Sequence, residues 1–339
     1  MLKSKSIIHH DRPVYREVIP QALKIAWKHP HYWILGIFAA VLNSGSALDA
    51  CWKFFNAIQN QGSELFIGNV AVQIWQVGAG AGFRALPFFQ ALLALFALCV
   101  ILLAVAAFSC ISQGALVHNI GSWKDGVGAR LKVALKVGSR ALVPIAVLNL
   151  TILAAVWLTR FFVSLPLALI LGRNSGLFVA VYLVSFIVFF ALALVLSILQ
   201  VYALNAMILQ GASLAQAFGR AWLVFKQHWL VTIETALLQA VVVLILTIVA
   251  LVIFMFLCLP PAILYILAVF RQNFALFQLS SGVFIGLTFL FLAIFTGFTV
   301  TFQYALWTLM FRKFGEGGVV AKIHRIFRFV THRTKVPQS

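Results

Sequence analysis

The sequence predicts an all-α integral membrane protein with six transmembrane helices, built from three helical hairpins that each follow an amphipathic interfacial helix. Hydrophobic residues make up 63% of the 339 positions and charged residues only 9%, yet the formal net charge is +18. The apolar residues form long continuous runs rather than an alternating pattern, which favours helices over a β-barrel. The positive charge lies almost entirely on one side of these runs. This combination is typical of a multi-span protein of the bacterial inner membrane.

Six apolar runs are long enough to cross a hydrocarbon core about 30 Å thick, which requires roughly 20 helical residues. They lie at about residues 32 to 50, 88 to 114, 141 to 171, 176 to 207, 229 to 259 and 275 to 310. An alternative with eight spans remains open, because Pro260 and Pro261 could turn the chain back through the membrane. The last run would then have to split at residues 280 to 282, so six spans require fewer assumptions.

The distribution of Lys and Arg predicts the orientation of the chain. The N-terminal arm, the two segments that link the hairpins and the C-terminal tail carry 20 of the 25 basic residues. The positive-inside rule therefore places both termini in the cytoplasm. The first 18 residues lack the apolar core of a cleaved signal peptide, so we expect the first span to be an uncleaved anchor. Basic residues beside a membrane predict anionic phospholipids as partners, and not nucleic acid.

Three kinds of segment recur in the same order along the chain. Amphipathic segments that carry a few cations precede the first, third and fifth spans, and suit the membrane interface. They lie at residues 23–28 (LKIAWK), 131–136 (LKVALK) and 213–229. The spans that follow contain AVLN, AVLN and ALLQ, and each return span ends in a Gln followed closely by an Ala-Leu pair. Together these matches predict a threefold internal repeat.

The repeat divides the chain into three regions. A cytoplasmic arm of residues 1–19 is followed by a six-span domain of residues 20–316 and a basic tail of residues 317–339. The three units of the domain lie at about residues 20–121, 122–212 and 213–316. Units of the same orientation are related by an axis along the membrane normal, so we expect a bundle with pseudo-threefold symmetry.

Polar side chains inside the predicted spans are the candidate functional residues. They are three amides about 14 Å past the cytoplasmic entrance, three amides nearer the cytoplasm and one acid: Asn43, Asn149 and Gln239; Gln113, Gln200 and Gln303; and Glu234. The amides either join helices through hydrogen bonds or line a polar path for a solute. Glu234 lies roughly 7 Å past Trp229, where it either meets water or a cytoplasmic Arg, or is functional.

The C-terminal tail forms a second candidate site. Residues 317–333 (GGVVAKIHRIFRFVTHR) place apolar residues on one side of a helix and Lys322, Arg325 and Arg328 off that side. A basic amphipathic helix of this kind binds anionic lipid head groups.

The sequence does not indicate an enzyme. Seven acidic residues are scattered along the chain, and neither a G-x-S-x-G motif nor a Walker loop is present. The eight histidines have no Cys or carboxylate partner at ligand spacing, so we predict no metal site and no cofactor. An intramembrane enzyme is the weakest of the three functional hypotheses.

Three segments carry a resemblance to a known group: LKIAWKHPHYWILG, QGALVHNIGSWKDG and SLAQAFGRAWLVFKQHW. They resemble a broad group of uncharacterised bacterial six-span membrane proteins. That group is similar to the membrane domain fused ahead of some glycerophosphodiester phosphodiesterases. The resemblance implies a lipid-related function. We expect no phosphodiesterase domain here, since 29 residues follow the last predicted span, so no catalytic residue is carried over.

The sequence thus favours a non-enzymatic inner-membrane protein that interacts with lipids or organises envelope components. The alternative is a transporter or channel with a polar path along the bundle axis. A transporter would be expected to hold paired charges within the membrane, and the spans offer almost none. Protein partners are not predicted.

Overall fold

The computed structural model describes residues 15–42, 85–123, 131–170 and 175–316. Within these ranges the chain is helical, which confirms the all-α class. The eight helices are α1 (Tyr15–Lys28), α2 (His31–Leu42), α3 (Ala85–Gly121), α4 (Leu131–Arg140), α5 (Leu142–Ile170), α6 (Ser175–Gln210), α7 (Leu214–Phe270) and α8 (Phe274–Glu316).

Five of these helices are long and apolar enough to cross a membrane, namely α3, α5, α6, α7 and α8. They correspond to the second to sixth predicted spans, so the multi-pass character of the chain is confirmed. Helix α2 is a shorter apolar helix of 12 residues. The remainder of the first predicted span, from Asn43 onward, lies outside the described residues.

Helix α7 is longer than the predicted span at residues 229–259. It contains 57 residues and continues through Pro260 and Pro261 without a turn. Each proline removes one backbone donor but has a φ compatible with a helix. Aromatic pairs with α8 lie on both sides of the prolines and keep the helix in line. Their ring centroids are 4.9 Å apart for Phe254 and Phe291, and 5.1 Å for Tyr265 and Phe277.

The chain turns back after α7 and not at the prolines. Gln272, in the turn, has a φ of 47°. The side-chain oxygen of Asn273 then accepts hydrogen bonds from the backbone N–H groups of Ala275 (3.1 Å) and Leu276 (3.2 Å), which caps α8. Helix α8 passes unbroken through residues 280–282. The eight-span alternative, which needs turns at both places, is therefore wrong.

The predicted amphipathic segments are present as helices. Two are the separate helices α1 and α4, and the third is the first part of α7. A kink at His228, with φ −124° and ψ 26°, separates this part from the rest of α7. A capping box between Ser213 and Gln216 starts α7. Each amphipathic helix thus lies directly before an apolar one.

Apart from α1 and α4, the helices form two sets, the inner helices and the outer helices. The inner helices α3, α6 and α8 all contact one another. Each of the outer helices α2, α5 and α7 lies against two inner helices. Helix α2 packs on α3 and α8, α5 on α6 and α3, and α7 on α8 and α6. Helix α1 packs on α8, and α4 packs on α3.

Packing is concentrated at one end of the bundle, which we call the packed end. Most side chains are buried at residues 109–120 of α3, 200–207 of α6 and 297–311 of α8. By contrast, every side chain at residues 92–104 of α3 is exposed. The packed end also carries α1 and α4, and the predicted orientation directs it to the cytoplasm.

Reporter fusions test this orientation. A fusion after Asn273, in the turn between α7 and α8, should report the outer side of the membrane. A fusion after Gly211, which lies between α6 and α7, should report the cytoplasm. The two sites are separated by one apolar helix, so the same side at both positions would contradict the spanning role of α7.

Candidate functional site

Three of the predicted polar residues meet at the packed end and form an amide network. The Asn149 side chain on α5 donates from Nδ2 to Oε1 of Gln113 on α3, at 2.9 Å. Its Oδ1 accepts a hydrogen bond from Nε2 of Gln200 on α6, at 2.7 Å. All three side chains are buried. Asn149 thereby joins one outer helix to two inner helices.

The other predicted residues lie apart from this network. Gln239 on α7 is partly buried, and its Oε1 has no hydrogen-bond partner among the described residues. Gln303 on α8 is also partly buried, as is Glu234, which lies less than two turns beyond the kink at His228. Asn43 and the tail residues Lys322, Arg325 and Arg328 fall outside the described residues. Their functional roles remain predictions.

Sequence reasoning missed a second group of buried polar residues on the inner helices. Its members are fully buried, and each has at least one side-chain atom without a hydrogen-bond partner among the described residues: Ser112, Asn119, Asn205 and Thr308. Both amide atoms of Asn119 lack such a partner. These residues occur within two helical turns of the repeated Gln positions. That proximity in the sequence is the feature from which they could have been predicted.

The buried amide side chains of the inner helices lie at the packed end. Amide and charged residues are absent from residues 91–108 of α3, 175–199 of α6 and 279–302 of α8. The network therefore does not continue along the inner helices toward the other side of the membrane. This arrangement joins helices, and it offers no continuous polar path through the described part of the bundle.

Each amphipathic helix is attached to the bundle by small buried residues. These are Ala22 and Ala26 of α1, Ala134 and Gly138 of α4, and Ala217 and Ala221 of α7. A Cβ added to Gly138 would lie 2.3 Å from the carbonyl oxygen of Ile111, so α4 rests directly on the backbone of α3. Close approach of this kind needs small residues, since helices in lipid gain little from burying apolar surface.

The opposite sides of these helices combine exposed large apolar residues with cations. Trp27 is 71% exposed and lies beside Lys28, and Trp222 is 52% exposed on the segment that also carries Arg220 and Lys226. On α4, Val133 is 48% exposed next to Lys132. Trp residues favour the level of the lipid head groups, where neighbouring cations meet lipid phosphate.

A cluster of basic and aromatic residues lies where α1 and α2 meet the ends of α3 and α8. We call it the closing cluster, and it consists of Lys28, His29, His31, Trp123 and Arg312. The His29 ring centroid lies 4.8 Å from that of Trp123 and 5.4 Å from that of His31. Nη1 of Arg312 donates to the carbonyl oxygen of Trp123 at 3.1 Å. Burial, followed by the charges of His31 and Lys28, lowers the pKa of His29 and favours the neutral imidazole.

The fold and these polar and basic groups define a class, a helical multi-pass membrane protein with a polar, cation-rimmed packed end. Within the described ranges, no group of three or more His, Cys, Asp or Glu side chains is placed to hold a metal ion. No family model, curated protein or solved structure matches the chain.

Proposed function

We propose that this protein is a non-enzymatic protein of the bacterial inner membrane that binds phospholipids at its cytoplasmic face. The observation that carries the proposal is the exposed side of the three amphipathic helices. Trp27 and Trp222 lie beside cations there, and a lipid interface accommodates both kinds of side chain. The predicted basic tail, with Lys322, Arg325 and Arg328, would add a further cationic surface.

The proposal includes a threefold repeat, in which each unit consists of an amphipathic helix, an outer helix and an inner helix. The units are α1 to α3, α4 to α6, and α7 with α8, where the beginning of α7 is the amphipathic part. The order of the helix contacts supports this repeat. In each proposed unit the outer helix packs on its own inner helix and on the inner helix of the preceding unit. The amphipathic helices α1 and α4 likewise pack on the inner helix of the preceding unit, with the third unit counted as preceding the first. The beginning of α7 follows the same rule, since Nη1 of Arg220 donates to Oε1 of Gln210 on α6 at 2.8 Å.

The resemblance to the membrane domain that precedes some glycerophosphodiester phosphodiesterases agrees with a lipid-related role. Under this proposal the chain holds or organises lipids without hydrolysing them. Placement in the inner membrane, with both termini in the cytoplasm, follows from the distribution of Lys and Arg.

A transporter or channel is the second candidate, and the amide network is the observation that favours it. A solute path would have to continue beyond Gln113 and Gln200, and residues 91–108 of α3 and 175–199 of α6 carry neither amides nor charges. Glu234 is the acid that the sequence places clearly inside a span, and it lies less than two turns beyond the kink at His228. The lipid-binding proposal therefore explains more of the molecule.

Native mass spectrometry of the detergent-purified protein tests the proposed function. We expect one anionic phospholipid class to remain bound, because each interfacial cation contributes about 1 kcal/mol toward anionic lipid. Replacing Lys322, Arg325 and Arg328 by Gln should reduce the retained amount. Bound lipids in bulk membrane proportions would contradict the proposal, and solute flux into proteoliposomes would then be the measurement of choice.

A further inference from the structure

The inner and outer helices contact one another in a closed ring. At one place in this ring, where α8 meets α1 and α2, the neighbouring helices are held by non-covalent contacts alone. Short links join α3 to α4 and α6 to α7, but no link joins α8 to α1 and α2. This closure contains an ion pair between Lys313 Nζ and Glu17 Oε2, at 3.7 Å. It also contains a hydrogen bond from Thr301 Oγ1 to the carbonyl oxygen of Tyr32, at 3.1 Å. Anything that bridges α8 and the α1–α2 pair would therefore stabilise the whole bundle.

The closing cluster lies at this junction and draws residues from each side of it. Lys28, His29 and His31 come from α1, α2 and the break between them, whereas Arg312 comes from α8. Trp123, at the end of α3, contacts both His29 through its ring and Arg312 through its carbonyl oxygen. Two basic groups from non-contiguous parts of the chain thus converge on one residue.

The local charge is positive. Among the acids whose side chains the structure describes, Glu17 lies at this junction, and it is paired with Lys313. Lys28, next to His29 in the chain, is exposed, and Arg312, which contacts Trp123, is partly exposed. A guanidinium can donate two hydrogen bonds to one phosphate in a fork, and an imidazole N–H can add a third.

The surroundings of the closing cluster are those of a lipid head-group region. The Trp27 ring is 71% exposed and packs edge-on against Phe298, with ring centroids 5.9 Å apart. Toward the membrane interior, Ile34 and Val41 of α2 are 59% and 52% exposed and offer an apolar surface to acyl chains. The exposed apolar surface of α2 thus begins at Ile34, about one helical turn from His31.

From this geometry we infer that the closing cluster binds the phosphate of an anionic phospholipid in the cytoplasmic leaflet, and that the bound lipid stabilises the contact of α8 with α1 and α2. The inference rests on the proposed function and assigns it a particular site. An anionic lipid is favoured over a zwitterionic one, because the latter brings its own cation into an already positive cluster.

The test compares the full chain in nanodiscs of phosphatidylcholine alone and of phosphatidylcholine with an equal share of phosphatidylglycerol. Phosphatidylglycerol should remain on the wild-type protein in native mass spectra, and its presence should raise Tm. Arg312→Gln and Lys28→Gln should each weaken phosphatidylglycerol binding about fivefold and reduce the lipid-dependent rise in Tm. The exposed Lys28 side chain provides a variant that tests binding even where Arg312→Gln alters the fold.

The matched control is Lys132→Gln on α4, which removes a cation of the same rim outside the closing cluster. It should reduce the lipid-dependent rise in Tm far less than Arg312→Gln does, because α4 does not lie at the contact of α8 with α1 and α2. Equal effects of Lys132→Gln, Lys28→Gln and Arg312→Gln would overturn the site while leaving general lipid binding intact. No preference of the wild-type protein for phosphatidylglycerol would overturn the proposed function as well. If inorganic phosphate in pure phosphatidylcholine raised Tm equally, the ligand would be free phosphate, and the lipid site would be wrong.

Discussion

Replacing Gly36 by Ala should lower the free energy of unfolding by about 2–3 kcal/mol, a typical cost of overpacking a tight contact. A Cβ at this position would lie 2.3 Å from the carbonyl oxygen of Gly297 and 2.7 Å from Oγ1 of Thr301. The reciprocal change is equally constrained, since a Cβ at Gly297 would lie 2.5 Å from the carbonyl oxygen of Trp33. Backbone atoms cannot rotate away as side chains can, so α2 and α8 would have to separate. The effect should be large, because this contact joins α8 to α2, and no direct chain connection holds these two helices together.

Gly286→Ala is the matched control for this prediction. It makes the same chemical change on α8, but the added Cβ would meet no atom within 4 Å. Alanine is favoured over glycine in a helix by up to about 1 kcal/mol, so Gly286→Ala should be neutral or stabilising. Thermal unfolding in one detergent, compared for both variants and the wild type, gives the measurement. Equal stability of Gly36→Ala and Gly286→Ala would show that α2 and α8 do not approach each other through these glycines.

Replacing Asn149 by Leu should cost about 2–4 kcal/mol. Two interhelical hydrogen bonds are lost, and in membranes each contributes about 0.6 kcal/mol. The Gln113 and Gln200 side chains then keep buried polar atoms without a partner, which adds about 1–3 kcal/mol in all. The network joins α5 to α3 and α6, so the second hairpin should detach first. Unfolding in detergent, followed by proteolysis of the segment between α5 and α6, would measure both effects.

Two controls separate this role from a role in transport. Thr288→Val removes a hydroxyl that is bonded to the carbonyl oxygen of Phe284 on its own helix, and should change stability by less than about 0.5 kcal/mol. Gln239→Leu removes a carbonyl oxygen that lacks a partner among the described residues, and should be neutral or stabilising. If Asn149→Leu lowered the free energy of unfolding as little as Thr288→Val, the amide network would not be needed to join the helices. The solute-path interpretation would then be favoured.

Several features of the fold could be predicted from local sequence. Continuous apolar runs are sufficient to identify membrane helices, because a helix satisfies its own backbone hydrogen bonds in lipid. The amphipathic segments at α1, α4 and the beginning of α7 were also predictable, since the 3.6-residue period is a property of short stretches. The ends of helices were less predictable. Two prolines predicted a possible turn, whereas aromatic contacts with α8 keep α7 straight through them.

The candidate site was predictable in its residue types but not in its contacts. The repeated positions suggested equivalent roles for Gln113, Gln200 and Gln303. The described hydrogen bonds connect Gln113 and Gln200 through Asn149, but do not include Gln303. Sequence similarity indicates which positions correspond, whereas a hydrogen bond depends on atomic separations within a few tenths of an ångström.

By itself the sequence determined the class of this protein, its apolar helices and the places where polar and basic residues occur. These depend on composition and on short-range periodicity, which each segment carries independently of the rest. Only the tertiary structure decided which residues meet. The Asn149 network, the Gly36 and Gly297 contact and the closing cluster each join residues from distant parts of the chain. Such contacts arise when all the helices pack together, and no single segment specifies them.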